Sequence, residues 1–187
     1  MSIKIYPSLV GSIIGVNKYK SRMHTLLGYV AKRDTTSKES CRRTLRGYQP
    51  KFEADAIQVL EETNNLSCYK ADKLILESNV GWHLIGQCDG ITSDGHIVEV
   101  KSRMKYIHDH ISWNDYAQIQ SYLALYDMNK CYYVQKIAQG TDTKIELIKR
   151  DTWYWNHYII PELTRFAQVV SDMRHEQSDT IMNPQHK

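Results

Sequence analysis

Residues 83–102 read HLIGQCDGITSDGHIVEVKS, and the alternation inside this stretch decides the fold. Apolar and polar residues take turns on both sides of Ser93-Asp94-Gly95. Asp-Gly between two alternating segments is a strong hairpin signal. Side chains two apart on a strand share a face, so Glu99 and Lys101 lie together while Val98 and Val100 point into a core. Asp89 stands beside Gly90 near the end of the partner strand. Pairing across the turn therefore brings Asp89 close to Glu99 and Lys101.

Outward from the hairpin, residues 8–16 (SLVGSIIGV) predict a short helix ending at a glycine, followed by a turn at NKYKS and a second helix over about 22–33. Residues 35–47 are polar and aperiodic, which predicts a mobile loop. Pro50 precedes a helix whose apolar stripe is Phe52, Ala56, Ile57, Val59 and Leu60, ending near Thr63–Asn65. Leu74–Leu76 predicts a short strand, and HLIGQCDGIT and HIVEVKS are each expected to be one strand. A helix over about 115–127, strands at CYYVQKIA and TKIELIK, and an amphipathic helix over about 152–174 complete the pattern. The fold class is α/β (α+β mixed): a small mixed β-sheet flanked by helices in one domain, residues 1–175. Residues 176–187 lack periodicity and are expected to form a disordered tail.

The 187 residues, 42% hydrophobic and 24% charged, have the composition of an ordinary globular domain. No apolar run approaches the ~20 residues that span a bilayer. MSIKIYPSLV lacks a signal peptide's charged and apolar regions, so a cytoplasmic or nuclear, reducing location is expected. Cys41, Cys68, Cys88 and Cys131 form no C-x-x-C pair and read as free thiols. The net charge of +3 is unevenly spread, with a balance of +9 in residues 1–51 and −6 in the remainder. A basic third joined to an acidic remainder suits a polyanion bound over a carboxylate-rich metal site; the plainer alternative is a solvated basic face.

Carboxylates on adjacent strands, Asp89 and Glu99, together with the Val100 carbonyl are hard oxygen donors suited to Mg²⁺ or Mn²⁺. Lys101 alongside them can orient or help deprotonate an attacking water and neutralise charge developing on a phosphate. The plainer alternative is an exposed hairpin salt bridge. Glu53 opens the Pro50 helix, either as a ligand or simply as an acid favoured by the helix dipole. Gln118 and Tyr122 are four apart on one helix face, where a glutamine can hold water or phosphate or merely be a surface polar residue.

The order helix-Glu, strand D-G, strand E-x-K, helix Q-x-x-x-Y resembles the PD-(D/E)XK nuclease superfamily, and specifically its lambda-exonuclease (YqaJ-type viral recombinase) branch. YQPKFEADAIQVLEE, GQCDGITSDGHIVEVKSR and YAQIQSYLALYD carry the likeness, and SLVGSIIGVNKYKS is similar to the family's S-x₆-G-x-N-x-Y-x-S segment. Together they span residues 8–126 in the family's order. The resemblance implies a restriction-endonuclease-like core, with Asp89, Glu99 and the Val100 carbonyl on Mg²⁺ (Mn²⁺ as a substitute) and Lys101 acting on the nucleophile. It implies that Glu53 holds a second metal or its waters and that Gln118 positions the attacking water or Lys101. Ser8 and the turn Asn17, Lys18, Tyr19, Lys20 and Ser21 would lie along DNA, as would Arg22 and Tyr122. The implied partners are duplex DNA with a free end, a single-strand annealing protein in phage- or virus-type recombination, and further copies of the chain.

Three departures stand out. Cys88 replaces the proline usual before the first catalytic Asp, and the spacing from Gly47 to Glu53 exceeds the family's G-x-x-x-E. The family's arginine-bearing segment ahead of Ser8 has no counterpart in residues 1–7, so Lys18, Lys20, Arg22, Arg42 and Arg43 are the candidates for a grip on a 5′ phosphate. A structure- or sequence-specific endonuclease on the same core is the second expectation, and a catalytically idle nucleic-acid-binding module the third. His108 and His110 form an H-x-H pair with no Cys or Glu-x-x-His to complete a zinc set, so they read as a surface loop. Trp113 is expected to anchor a loop rather than stack on a base, and Trp153 and Trp155 to serve core or interface.

Overall fold

The computed structural model describes residues 2–31, 49–138 and 140–182. The expected loop at 35–47, with Arg42, Arg43 and Gly47, lies outside them, as do residues 183–187.

The chain begins with strand β1 (Ile3–Ile5) and helix α1 (Pro7–Ile13), which starts on a proline whose missing N–H costs a first turn nothing. Gly15 follows α1 at φ +85, the left-handed conformation that glycine adopts without strain. Helix α2 (Arg22–Val30) is capped by Ser21, whose hydroxyl accepts from the His24 amide at 3.2 Å. Helix α3 (Gln49–Asn64) takes Pro50 into its first turn and ends where Asn65 turns left-handed. Strands β2 (Cys68–Tyr69), β3 (Leu74–Glu77), β4 (Trp82–Gly86), β5 (Gly90–Thr92) and β6 (Ile97–Arg103) follow. Helix α4 (Trp113–Leu125), capped by Ser112, carries the chain to β7 (Lys130–Ile137) and β8 (Thr143–Lys149).

The closing helical run is one turn, α5 (Thr152–Tyr154), a π-helical turn at Trp155–Ile159, and α6 (Ile160–Met182). The wide turn lets Tyr154, Trp155 and Ile159 all reach the core. Helix α6 runs past the expected end near 174, so part of the expected tail is helical.

Among the described residues the strands form two sheets rather than the single one expected. One has the order β1-β4-β3, with β1 and β4 parallel; the other has the order β2-β5-β6-β7-β8. Strands β6 and β7 are parallel and α4 is the crossover between them, the connection that parallel strands require. The stretch HLIGQCDGIT is divided because the chain changes sheet at residues 87–89. The Gln87 side chain donates through Nε2 to the Ala71 carbonyl at 2.6 Å, and the Cys88 N–H donates to the Tyr126 hydroxyl at 3.2 Å. Those bonds anchor the crossing segment, and Asp89 sits in it. The hairpin itself forms as expected, with Gly90 opposite Val98, Ile91 opposite Ile97, and the turn closed at Gly95.

Two cores result. The larger gathers α1, α4, β1, β4 and α6 around Ile5, Leu84, Leu123, Tyr133 and Phe166. The smaller packs Ala56 and Leu60 of α3 on Val98 and Val134. Strand β6 divides them.

Candidate active site

Strand β6 places its residues as alternation predicts. Val98 is buried in the smaller core with Val100 packed against that core, while Glu99 and Lys101 turn to the α4 side. Asp89 is pinned to the same strand: its Oδ2 accepts from the Val100 amide at 2.7 Å, and its own amide donates to the Val98 carbonyl at 3.1 Å. Glu99 is only 3% exposed. Its Oε1 accepts from Lys101 Nζ at 2.7 Å and from Gln118 Nε2 at 2.8 Å, and Lys101 Nζ also donates to Gln118 Oε1 at 2.8 Å. Glu99 Oε2 is buried without a hydrogen-bond partner among the described residues.

The electrostatics follow from this crowding. Burial pushes the Asp89 carboxyl up to about 6, opposed by the Val100 amide and reinforced by Glu53. Burial likewise pushes Glu99 up to about 7, with Lys101 opposing and Asp89 and Asp115 reinforcing. Glu53, half-buried on α3, is raised by burial and by the charge of Glu99. Burial alone would lower Lys101, but Glu99 and Asp115 outweigh it and hold the ammonium above its ordinary value. Carboxyls raised in common by low dielectric and by one another are what a bound cation relieves.

That donor set fits a hard divalent cation: Asp89 and Glu99 on neighbouring strands, an unpartnered buried oxygen on Glu99, and Glu53 at the margin. Among the described residues no group of three or more His, Cys, Asp or Glu side chains is placed to hold a metal ion. Water or phosphate oxygens would have to complete the coordination of any cation held by Asp89 and Glu99.

Behind Lys101 lies a network that sequence reading did not single out. Asp115 Oδ1 is 3.9 Å from Lys101 Nζ, and its Oδ2 accepts from Arg103 Nη2 at 2.9 Å and from the Tyr133 hydroxyl at 2.8 Å. Arg103 also donates through Nε to Gln135 Oε1 at 2.9 Å. These partners hold the Asp115 carboxyl below its ordinary value despite burial. The period of two that links Glu99 to Lys101 also reaches Arg103, and Asp115 stands three residues before Gln118 on the same helix face. Both signals were present in the sequence.

The expected DNA-facing residues divide into two groups. Ser8 and Lys18 are exposed, and Tyr19 is 98% exposed. Asn17 Oδ1 accepts from the Tyr19 and Lys20 amides at 2.8 and 3.0 Å, which shapes the turn, and burial lowers the Lys20 amine. Ser21 is a helix cap, and Arg22 is paired with Glu162 of α6 at 2.6 Å. Tyr122 is 7% exposed and lies under the carboxylates, so it faces the site from within rather than offering a surface to DNA. Trp113, expected to be a buried anchor, is 65% exposed, because it opens α4 at the surface. Trp155 is buried in the core, whereas Trp153 is exposed. Cys68, Cys88 and Cys131 are free thiols, and Cys41 lies outside the described residues. None of the described helices is long and apolar enough to cross a membrane.

Solved structures share this architecture from end to end. An alkaline exonuclease (LHK-Exo) from Laribacter hongkongensis aligns over 96% of this chain and 94% of its own, at 15% identity and a TM-score of 0.73. The same enzyme in complex with dAMP aligns over the same shares at 16% identity and a TM-score of 0.77. A phage-related exonuclease from Haemophilus somnus aligns over 97% of both chains at 13% identity and a TM-score of 0.62. At these identities the likeness is one of fold. No protein-family model matches the chain, and no curated protein does.

Proposed function

We propose that this chain is a metal-dependent deoxyribonuclease of the PD-(D/E)XK type, acting as a lambda-type exonuclease on the ends of linear duplex DNA. The observation that carries the reading is the closed contact of Glu99, Lys101 and Gln118, with Asp89 bonded to the backbone beside them. The exonuclease fold of its neighbours, one of them holding dAMP, supports DNA as the substrate.

Asp89 and Glu99, with the Val100 carbonyl, would hold Mg²⁺ or Mn²⁺, and Glu53 would hold a second ion or its waters. When bound, the cation supplies Lewis-acid polarisation of the phosphodiester and lowers the pKa of the attacking water. The chain's own residues do the remainder. Lys101, kept charged by Glu99 and Asp115, neutralises negative charge developing on the phosphate. Gln118 fixes Lys101 against Glu99, so little reorganisation is needed as charge develops. The exposed turn at Lys18 and Tyr19 supplies backbone contacts to DNA. In phage- or virus-type recombination such resection would hand single strands to an annealing partner, and further copies of the chain would help retain the duplex.

The test compares linear duplex carrying 5′-phosphate or 5′-hydroxyl ends with covalently closed circles, in Mg²⁺, Mn²⁺ and EDTA. The expected result is cation-dependent loss of linear DNA with circles spared. Equal attack on circles would favour the second reading, an endonuclease on the same core. The Arg22–Glu162 pair favours that reading, because it occupies one of the cations expected to grip a 5′ end. No cleavage in either cation would overturn both.

A further inference from the structure

A cleft of about 330 Å³ opens beside the carboxylate cluster rather than over it. One wall is the Lys18–Tyr19 turn, the other is the segment from His108 to Asn114, and Arg103 lines it as well. Arg103 is two residues beyond Lys101 on β6, so the cleft adjoins the catalytic cluster.

Its walls are fixed by the chain itself. Gln135, fully buried, accepts from the His108 amide at 3.3 Å and donates to the His108 carbonyl at 3.0 Å, while also accepting from Arg103. Lys144 Nζ donates to the Asp109 carbonyl at 2.6 Å. Asn17 shapes the opposite wall through the Tyr19 and Lys20 amides. Trp113 is held in orientation by Tyr116, edge-on at 5.9 Å, and by Tyr154 at 6.2 Å, yet its indole stays mostly exposed.

An oriented, exposed indole beside Lys18 pairs a stacking platform with cationic charge, and no carboxylate is among the lining residues described, while Arg103 in the same wall is held by Asp115. That pairing is how proteins hold unpaired bases: the ring face stacks and the cation meets the phosphate. The bases of a duplex are stacked on one another, so only an unpaired base can present its face. The volume suits a single nucleotide-sized ligand.

We infer that this cleft binds one unpaired nucleotide of a DNA strand next to the cleavage site, with its base stacked on Trp113 and its phosphate against Lys18. The inference rests on the nuclease reading for its choice of nucleic acid. Fluorescence anisotropy of a labelled oligothymidylate of about eight nucleotides, in EDTA so that nothing is cut, tests it on the full chain. Trp113→Ala is expected to weaken binding by about five- to a hundredfold, with Trp113→Phe restoring most of the affinity. Trp153→Ala, a second exposed tryptophan, is expected to stay within about twofold of the parent chain. Thermal melts establish that each variant is folded. Unchanged affinity in folded Trp113→Ala, or an equal loss in Trp153→Ala, overturns the cleft. A chain that binds through Trp113 but cuts no DNA in Mg²⁺ supports the cleft and refutes the nuclease reading, whereas one that cuts DNA yet binds regardless of Trp113 refutes the cleft alone.

Discussion

Lys101 and Gln118 are bonded to each other at 2.8 Å, and both also donate to the same oxygen of Glu99. Two strand residues and one helix residue thus close a triangle. All the donated bonds fall on Oε1, and the second oxygen of Glu99 is left buried and unmatched. A carboxylate arranged in this way has its orientation decided before any cation or substrate arrives.

Gln118→Ala opens the triangle without removing a charge. Lys101 would then be steered by Glu99 and Asp115 alone. We expect kcat on linear duplex DNA to fall by about ten- to a hundredfold with KM nearly unchanged, as steady-state kinetics would show. A loss confined to KM would make Gln118 a substrate-binding residue instead.

Glu99→Gln keeps the shape of the side chain but removes the buried charge. Cleavage should drop by about two orders of magnitude or more. Thermal stability in EDTA at neutral pH should hold or rise, because burial disfavours the Glu99 carboxylate more than its pairing with Lys101 favours it. A destabilised variant would mean that Glu99 chiefly holds the fold.

Asp89 and Glu99 keep their protons up to about 6 and about 7, above the ordinary 3.8 and 4.5. The folded chain therefore binds more protons than the unfolded chain between about pH 4 and about pH 7, and their contribution to stability falls as pH rises through that window. A divalent cation bound to the ionised forms would reverse the loss. Melting curves with and without Mg²⁺ should show a stabilisation that is small near about pH 5 and larger above about pH 7, and cleavage should climb over the same range. A Mg²⁺ effect that does not grow with pH would separate these two carboxyls from cation binding.

Gly86→Ala addresses the scaffold. A Cβ there would meet the Pro7 ring at 2.9 Å and the Tyr122 ring at 3.1 Å. Proline cannot move aside without shifting α1, so urea unfolding should reveal a loss of about 1–3 kcal/mol. Wild-type stability would show that α1 moves aside more easily than its packing implies.

The strands and helices with strong periodicity were legible in the sequence: β8 matches TKIELIK end to end, and the hairpin turns at Gly95 as expected. Strand β1 was not, because three residues are too few to reveal a period of two. The break between β4 and β5 was hidden because Tyr126 and the Ala71 carbonyl, which bridge it, belong to other parts of the chain. The same distance hid the partners of Asp115: Tyr133 is on β7 and Arg103 on β6, brought together only by the crossover. Local spacing placed Asp89, Glu99 and Lys101 near one another, and the structure has them together with Gln118. Exposure was the least legible property, since nothing in the pattern around Trp113 distinguishes an indole facing inward from one facing outward.

Strand β6 shows the smaller core on one side and Glu99 on the other, so its backbone serves both. A mutational scan scored by turnover alone would therefore flag Ala56 and Leu60 as though they were reactive groups, even though neither faces the carboxylates. Scoring the same library a second time for abundance would tell the two apart. Residues whose loss abolishes cleavage while leaving protein levels high would mark the carboxylate cluster, Glu53 of α3 included, and those that lower both would mark the packing of α3 on the strand.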